Sequence, residues 1–205
     1  MSSGTLYIIS APSGAGKTSL IASLLENISD VEVAISHTTR APREGEINAK
    51  HYHFVSEDEF LADVKNNKFL EHANVFGNYY GTSTDSVDTL LQKGIDVILE
   101  IDWQGAQQIR KLMPEAISIF ILPPSKEELE RRLRGRGTDS DEIIAKRLGQ
   151  SCEDIKHYNE FDYVLVNDSF DESVKQLASI FYANRNRLEK QQINNQALLD
   201  ELTAD

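Results

Sequence analysis

Apolar residues in this chain gather into short, nearly continuous runs separated by longer segments of mixed polarity. The runs 5–10 (ending Leu6-Tyr7-Ile8-Ile9-Ser10), Ile95 to Asp102, Ile117 to Leu122 and Tyr163 to Val166 have strand length. Their composition is that of strands buried on both faces. Val33-Ala34-Ile35 is a shorter candidate of the same kind. The segments between them read as helices. One runs to about Leu25, one covers 84–93 and ends at Gly94, and one runs from about Gln104 to just before Pro114. Ser56 with Glu59, and Ser125 with Glu128, are capping-box signatures that open two more. After the polar break Arg134 to Ser140 a helix continues through about His157, and from Phe170 the chain reads as helical nearly to its end. Strands alternating with helices predict an α/β fold, a parallel sheet with helices on both faces. In such sheets ligands bind beyond the carboxyl ends of the strands.

Between Ser36 and Thr82 the pattern changes. Apolar runs shorten, as in Tyr52-His53-Phe54-Val55, and Thr, Arg, His, Asn, Tyr and Gly dominate. This stretch reads as a lobe inserted into the parallel sheet. No internal repeat or low-complexity segment interrupts the chain.

Chemistry enters at the end of the first strand. Ala11-Pro12-Ser13-Gly14-Ala15-Gly16-Lys17-Thr18 links an apolar strand to a helix. That arrangement wraps nucleotide phosphates in backbone N–H groups. Gly14 and Gly16 allow positive φ and a close approach of the backbone to phosphate oxygens. Lys17 supplies a point charge for the β- and γ-phosphates, and the Thr18 hydroxyl is placed for Mg²⁺. The pattern has Gly at its first position where this chain has Ala11. With this loop, the expected fold is a P-loop NTPase-type parallel sheet.

Asp102 closes an apolar strand, where an acidic residue holds Mg²⁺ directly or through water, and Glu100 shares its strand face. An aspartate there can equally cap the next helix, and both roles can hold at once. Arg131, Arg132, Arg134 and Arg136 cluster around a glycine-flanked break, with Arg147 beyond it. A mobile arginine that closes over a transferring phosphoryl group stabilises its spread charge and excludes water. A basic run on a solvated helix face is the alternative.

Bulk properties narrow the class. Two hundred and five residues suit one domain with small inserted lobes. A net charge of −12 argues against non-specific nucleic-acid binding and requires positive charge to be concentrated locally. Arg40 and Arg43, flanking a proline turn, form a second such concentration. The single cysteine, Cys152, excludes an intramolecular disulfide. The first strand begins too early to leave room for a signal peptide, and no apolar run approaches a membrane span. The expectation is a soluble cytoplasmic protein. The five histidines show no metal-ligand spacing.

Several of these stretches, taken in order, resemble the guanylate kinase family. They are the phosphate loop, Ser36-His37-Thr38-Thr39-Arg40-Ala41-Pro42-Arg43 with Gly45-Glu46, Tyr52, Phe69-Leu70-Glu71 and Gly77-Asn78-Tyr79-Tyr80-Gly81-Thr82. Asp102-Trp103-Gln104-Gly105, Pro123-Pro124-Ser125, Arg134-Gly135-Arg136-Gly137 and Val166-Asn167-Asp168 continue the match. The likeness spans roughly residues 4 to 185 and is closest to the free-standing bacterial members. It implies transfer of the γ-phosphoryl group of MgATP to GMP. It also implies a GMP-binding lobe at about 36–82, a mobile lid at about 126–158, and a core of about 1–35, 83–125 and 159–205.

The resemblance further implies that Arg40, Arg43, Tyr52 and Tyr80 grip the GMP phosphate. Ser36, Glu71 and Thr82 would read guanine with Asp102 nearby. Ala11 to Thr18, Arg132 and Asn167 would hold ATP, and Thr18 and Asp102 would hold Mg²⁺. Lys17, Arg40, Arg136, Arg147 and Asp102 are the catalytic candidates. A carboxylate at Glu71 accepts from guanine N1–H and NH₂, whereas adenine presents a lone pair at N1 and would leave it unpaired. Alternation along its strand leaves the side of Glu71 open. Where the family has Gly and Asp before the binding tyrosine, this chain has Ala49 and His51. Rival readings are a kinase for another acceptor, a phosphopeptide-binding scaffold, and a P-loop switch. Residues 185–205, helical and charged, can pair with a second subunit or end in solvent, so a homo-oligomer stays open.

Overall fold

The structure, a computed structural model, describes residues 4–75, 77–135 and 140–204. In chain order its strands are β1 (Leu6–Ser10), β2 (Val31–Val33), β3 (His37–Thr38), β4 (His53–Phe54), β5 (Phe69–Val75), β6 (Asn78–Ser83), β7 (Asp96–Glu100), β8 (Ile117–Leu122) and β9 (Tyr163–Val166). The helices are α1 (Lys17–Asn27), α2 (Glu57–Lys65), α3 (Thr84–Gln92), α4 (Trp103–Leu112), α5 (Lys126–Arg134), α6 (Asp141–Ile155), α7 (Phe170–Arg185), α8 (Leu188–Asn194) and α9 (Gln196–Thr203).

Five strands form one sheet in the order β2-β7-β1-β8-β9, all parallel. Every residue of β1 is buried, as a central strand covered on both faces requires. Its side chains divide by period two. Tyr7 and Ile9 pack with Ile98 and Ile119 against Leu20 and Leu24 of α1 and Leu177 and Phe181 of α7. Leu6 and Ile8 pack with Val97 and Leu99 against Val87 and Leu91 of α3 and Ile109 of α4. The sheet is therefore the middle of three layers. No helix among the described residues is long and apolar enough to cross a membrane.

A second sheet, β4-β3-β6-β5, gathers the strands of the polar stretch. Its back is covered by α2, whose Phe60 stacks on Phe69 and Tyr79. The Ser56 capping box is present in full, with both reciprocal bonds made.

Four expectations need correction. β2 covers 31–33 rather than 33–35, because its parallel register with β7 begins at Val31 opposite Asp96. The helix after β7 starts at Trp103, since the Asp102 carboxylate caps it at the Gly105 N–H, 2.9 Å away. Ser125 caps α5 through the Glu128 N–H, but the Glu128 carboxylate turns to Arg131 and Arg132, so the second capping box is only half formed. A guanidinium outcompetes a backbone N–H for a carboxylate. Finally, the C-terminal helical stretch is three helices, broken near Asn186 and Asn195.

Candidate functional site

A cleft of about 360 Å³ opens between the carboxyl ends of the parallel sheet and the second sheet. The phosphate loop forms one wall. Gly14 and Gly16 have φ of 93° and 95°, in the left-handed region. A Cβ on Gly16 would run into the Asn167 side-chain amide. Gly16 is the N-cap of α1, and no side chain caps that end. The first N–H groups of the helix are thus left to an anionic ligand. The loop is braced from behind. The Asn167 amide donates to the Ala15 carbonyl at 2.8 Å, and Arg132 donates to the carbonyls of Asn167 (3.0 Å) and Ala15 (3.4 Å).

Lys17 reaches the Ile101 carbonyl at 3.2 Å and lies 4.0 Å from Glu100. Burial pulls its pKa down, while the carboxylates of Glu100, Asp102 and Asp154 oppose that shift. The Thr18 hydroxyl donates to Glu100 at 2.6 Å. Glu100, not Asp102, is therefore the carboxylate against the phosphate-loop hydroxyl. Asp102 lines the cleft while capping α4. Hydroxyl and carboxylate oxygens are the hard donors that Mg²⁺ prefers.

The opposite wall is built by β5 and β6. Glu71 is buried, at 3% exposure. It accepts from the Thr82 hydroxyl at 2.7 Å, and Thr82 shares a 3.2 Å hydrogen bond with Ser36. Burial, reinforced by the Asp102 charge, raises the Glu71 pKa to about 7. A β-bulge decides which way this side chain faces. Phe69 pairs with Ser83 and Glu71 with Thr82, so two steps on β5 match one on β6. Phe69 then packs backward on Phe60, while Glu71, Ala73 and Val75 line the cleft. Glu71 also rests on the first turn of α4, where a Cβ at Gly105 would lie 2.8 Å from its Oε2.

Arg43, Tyr52 and Tyr80 line the cleft beside this relay, with the two phenol rings 6.0 Å apart. The Arg40 guanidinium lies 5.5 Å from the Tyr52 ring and pairs with Glu46 at 2.8 Å. Glu46 also accepts from the Arg43 N–H at 2.6 Å, so one carboxylate shapes the whole arginine turn. Ala49 sits at φ 60°, a backbone suited to glycine, and His51 Nδ1 accepts the Ile47 N–H at 2.9 Å.

The structure gathers Ala11 to Thr18, Ser36, Arg43, Tyr52, Glu71, Tyr80, Asp102 and Arg147 around one cleft, with Ala15 held in the loop behind it and Thr82 buried behind the wall, bonded to Ser36 and Glu71. Arg132 and Asn167 stand behind the loop. Arg131 and Arg134 are occupied by Glu128, Glu130 and Asp141. Arg136 lies outside the described residues. Sequence reasoning passed over two residues. In the sequence Glu46 stands out only as part of the Gly45-Glu46 pair. Asp154 carries a signal after the fact, since it lies seven residues beyond Arg147 on α6 and so shares its face. Among the described residues no cluster of three or more His, Cys, Asp or Glu side chains is set to hold a metal.

Three comparisons bear on this geometry. A family model described as guanylate kinase matches residues 3–184. Curated guanylate kinases of Escherichia coli strain K12 and Salmonella typhi are each 56% identical over 207 residues, covering the whole of both chains. A crystal structure of guanylate kinase from Anaplasma phagocytophilum superposes with a TM-score of 0.77 at 35% identity, covering 91% of this chain and 89% of that one. The SH3-kinase fragment of tight junction protein 3 shares the fold, with a TM-score of 0.52 at 13% identity over 91% of this chain and 60% of its own.

Proposed function

The chain belongs to the guanylate kinase family and transfers a phosphoryl group from ATP to GMP; from that premise we propose a division of labour among its residues. The phosphate loop holds the ATP phosphates through backbone N–H groups, with Lys17 against the β- and γ-phosphates. Arg132 and Asn167 act behind it by locking the Ala15 carbonyl, and so keep the N–H groups aimed outward. Arg40, Arg43, Tyr52 and Tyr80 hold the GMP phosphate. Ser36, Thr82 and Glu71 read guanine, with Asp102 nearby. Arg136 and Arg147 neutralise the transferring group.

The Thr18 hydroxyl with Glu100 and Asp102 supplies oxygen donors that suit Mg²⁺, which when bound neutralises phosphate charge and orients the γ-phosphoryl group. The observation carrying the reading is the Ser36–Thr82–Glu71 relay facing the phosphate loop across one cleft. An anionic Glu71 accepts two guanine donors, while adenine leaves a buried carboxylate unpaired. Such a mismatch discriminates by roughly 10⁴-fold.

We take the reaction to run in the cytoplasm on free nucleotides, given the net charge of −12 and the single cysteine. The exposed Leu188, Ile193, Leu198 and Leu202 of α8 and α9 are compatible with pairing to a second copy. A coupled ADP-release assay over a panel of nucleoside monophosphates tests the assignment of the acceptor pocket. Rapid turnover confined to GMP is expected. Equal turnover with AMP or UMP would remove Glu71 as the discriminating group.

A further inference from the structure

We propose that Asp154 is a positioning residue for the phosphotransfer: its hydrogen bond to the Trp103 indole holds α6 in the orientation that presents Arg147 to the cleft. This rests on the role proposed above for Arg147. The two residues lie seven positions apart on α6, two helical turns on one face, and both line the cleft.

The apolar side of α6 does not settle that orientation. Ile144, Leu148 and Ile155 pack with Leu129 and Leu133 of α5, a small cluster separate from both faces of the parallel sheet. The position of α6 over the cleft depends on polar ties. Ser151 donates to the Ser13 carbonyl at 3.3 Å. The Asp154 Oδ1 accepts from Trp103 Nε1 at 3.3 Å and from Gln150 at 3.0 Å. The Trp103 ring lies flat on His157, 3.6 Å between centroids at 7°. His157 pairs with Glu160 at 2.6 Å, and Glu160 accepts from Gln107 of α4 at 2.8 Å.

The ties of Asp154 and of the His157–Glu160 pair end on α4, and α4 is also fastened to the guanine wall. Gln108 bonds both the N–H and the carbonyl of His72, at 3.2 and 2.8 Å, and Gly105 lies against Glu71. One helix therefore joins the guanine-reading carboxylate to the arginine-bearing helix. Asp154 is the fourth carboxylate lining the cleft, after Glu71, Glu100 and Asp102, and its charge is unfavourable for phosphate binding in itself. Its bond to Trp103 accounts for its presence there. Small displacements of a charge-stabilising group are costly, up to about 100-fold per Å.

The test uses full-length variants and the only tryptophan of the chain as reporter. Asp154→Ala should lower kcat roughly 10-fold and leave KM for GMP within about 2-fold. Asp154→Asn keeps the Oδ1 acceptor and should recover most of the loss. Trp103→Phe keeps the ring and loses the donor, so it should match Asp154→Ala. On an Arg147→Ala background, Asp154→Ala should cost nothing further. Trp103 emission should shift in Asp154→Ala but not in Asp154→Asn, with thermal midpoints alike. Additive losses with Arg147→Ala, a loss carried by KM for GMP, or Asp154→Asn as impaired as Asp154→Ala would overturn the proposal. Wild-type turnover with GMP tests the functional reading separately, and the emission comparison holds whatever that result.

Discussion

The two walls of the cleft are built in opposite ways. The donor wall comes from eight consecutive residues, Ala11 to Thr18, mounted on the fully buried strand β1 and braced by Asn167 and Arg132. The acceptor wall draws on residues scattered from Ser36 to Thr82 across a four-stranded sheet. Among the described residues of that lobe, Phe60 is the one buried apolar side chain of the core. Its remaining cohesion comes from ring contacts among Phe60, Phe69, Tyr79 and His37, and from hydrogen bonds such as Thr82 to Glu71. A wall with so little apolar burial sits at the low-stability end of the molecule. The lesson is that the phosphate cradle is preformed by backbone geometry, whereas the proposed guanine pocket is a tertiary assembly of residues far apart in the chain.

That contrast can be broken at either wall. Lys17→Ala should cause the largest loss, with kcat falling by roughly 10²- to 10³-fold and little change in thermal midpoint, because it removes a preorganised charge whose burial is itself unfavourable and leaves the backbone cradle in place. Steady-state assay with parallel melting curves checks it, and a large drop in midpoint would show the donor wall to be less preformed than argued. Glu71→Gln should act on the other wall, raising KM for GMP by roughly 100-fold while ATP binding is retained. Titration of each nucleotide separately reads the split, and equal damage to both would dissolve the distinction between the walls.

The pH dependence sharpens it further. With its pKa raised to about 7, Glu71 is largely protonated below neutrality, and the protonated acid offers guanine N1–H a poorer acceptor. KM for GMP should therefore rise as pH falls from about 7, and this dependence should vanish in Glu71→Gln. The sign for stability is the reverse. A carboxylate whose folded pKa is raised contributes stability below its unfolded value near 4.5 that is lost as pH climbs through about 7. Ligand-free protein should melt higher on mild acidification through this group, and saturation with GMP should narrow the gap.

The smallest effect tests the lobe's backbone. Ala49 occupies the left-handed region at φ 60°. Ala49→Gly should stabilise by about 0.5–1 kcal/mol, a rise in midpoint of roughly 1–4 °C, and leave turnover with saturating substrates unchanged. A fall in the midpoint would mean that strain in this loop is not what sets the lobe's stability. The neighbouring departure, His51, takes the acceptor position toward the Ile47 N–H with a ring nitrogen.

Some features were readable from residue order alone. Central parallel strands need continuous apolar runs, so β1 and β8 stood out; a phosphate cradle needs glycines at fixed offsets ahead of Lys-Thr, so the donor wall could be drawn from one octapeptide. Both are local consequences of backbone sterics and burial. Tertiary structure decided the rest. A bulge between Phe69 and Glu71 reversed the alternation that period-two reading assumes and sent the carboxylate into the cleft. Parallel register brought Glu100 rather than Asp102 to the Thr18 hydroxyl. Contacts 51 residues apart tied Asp154 to Trp103. Such pairings depend on which chain segments meet in space, and a side chain's type sets what it can bind there but not which partner arrives.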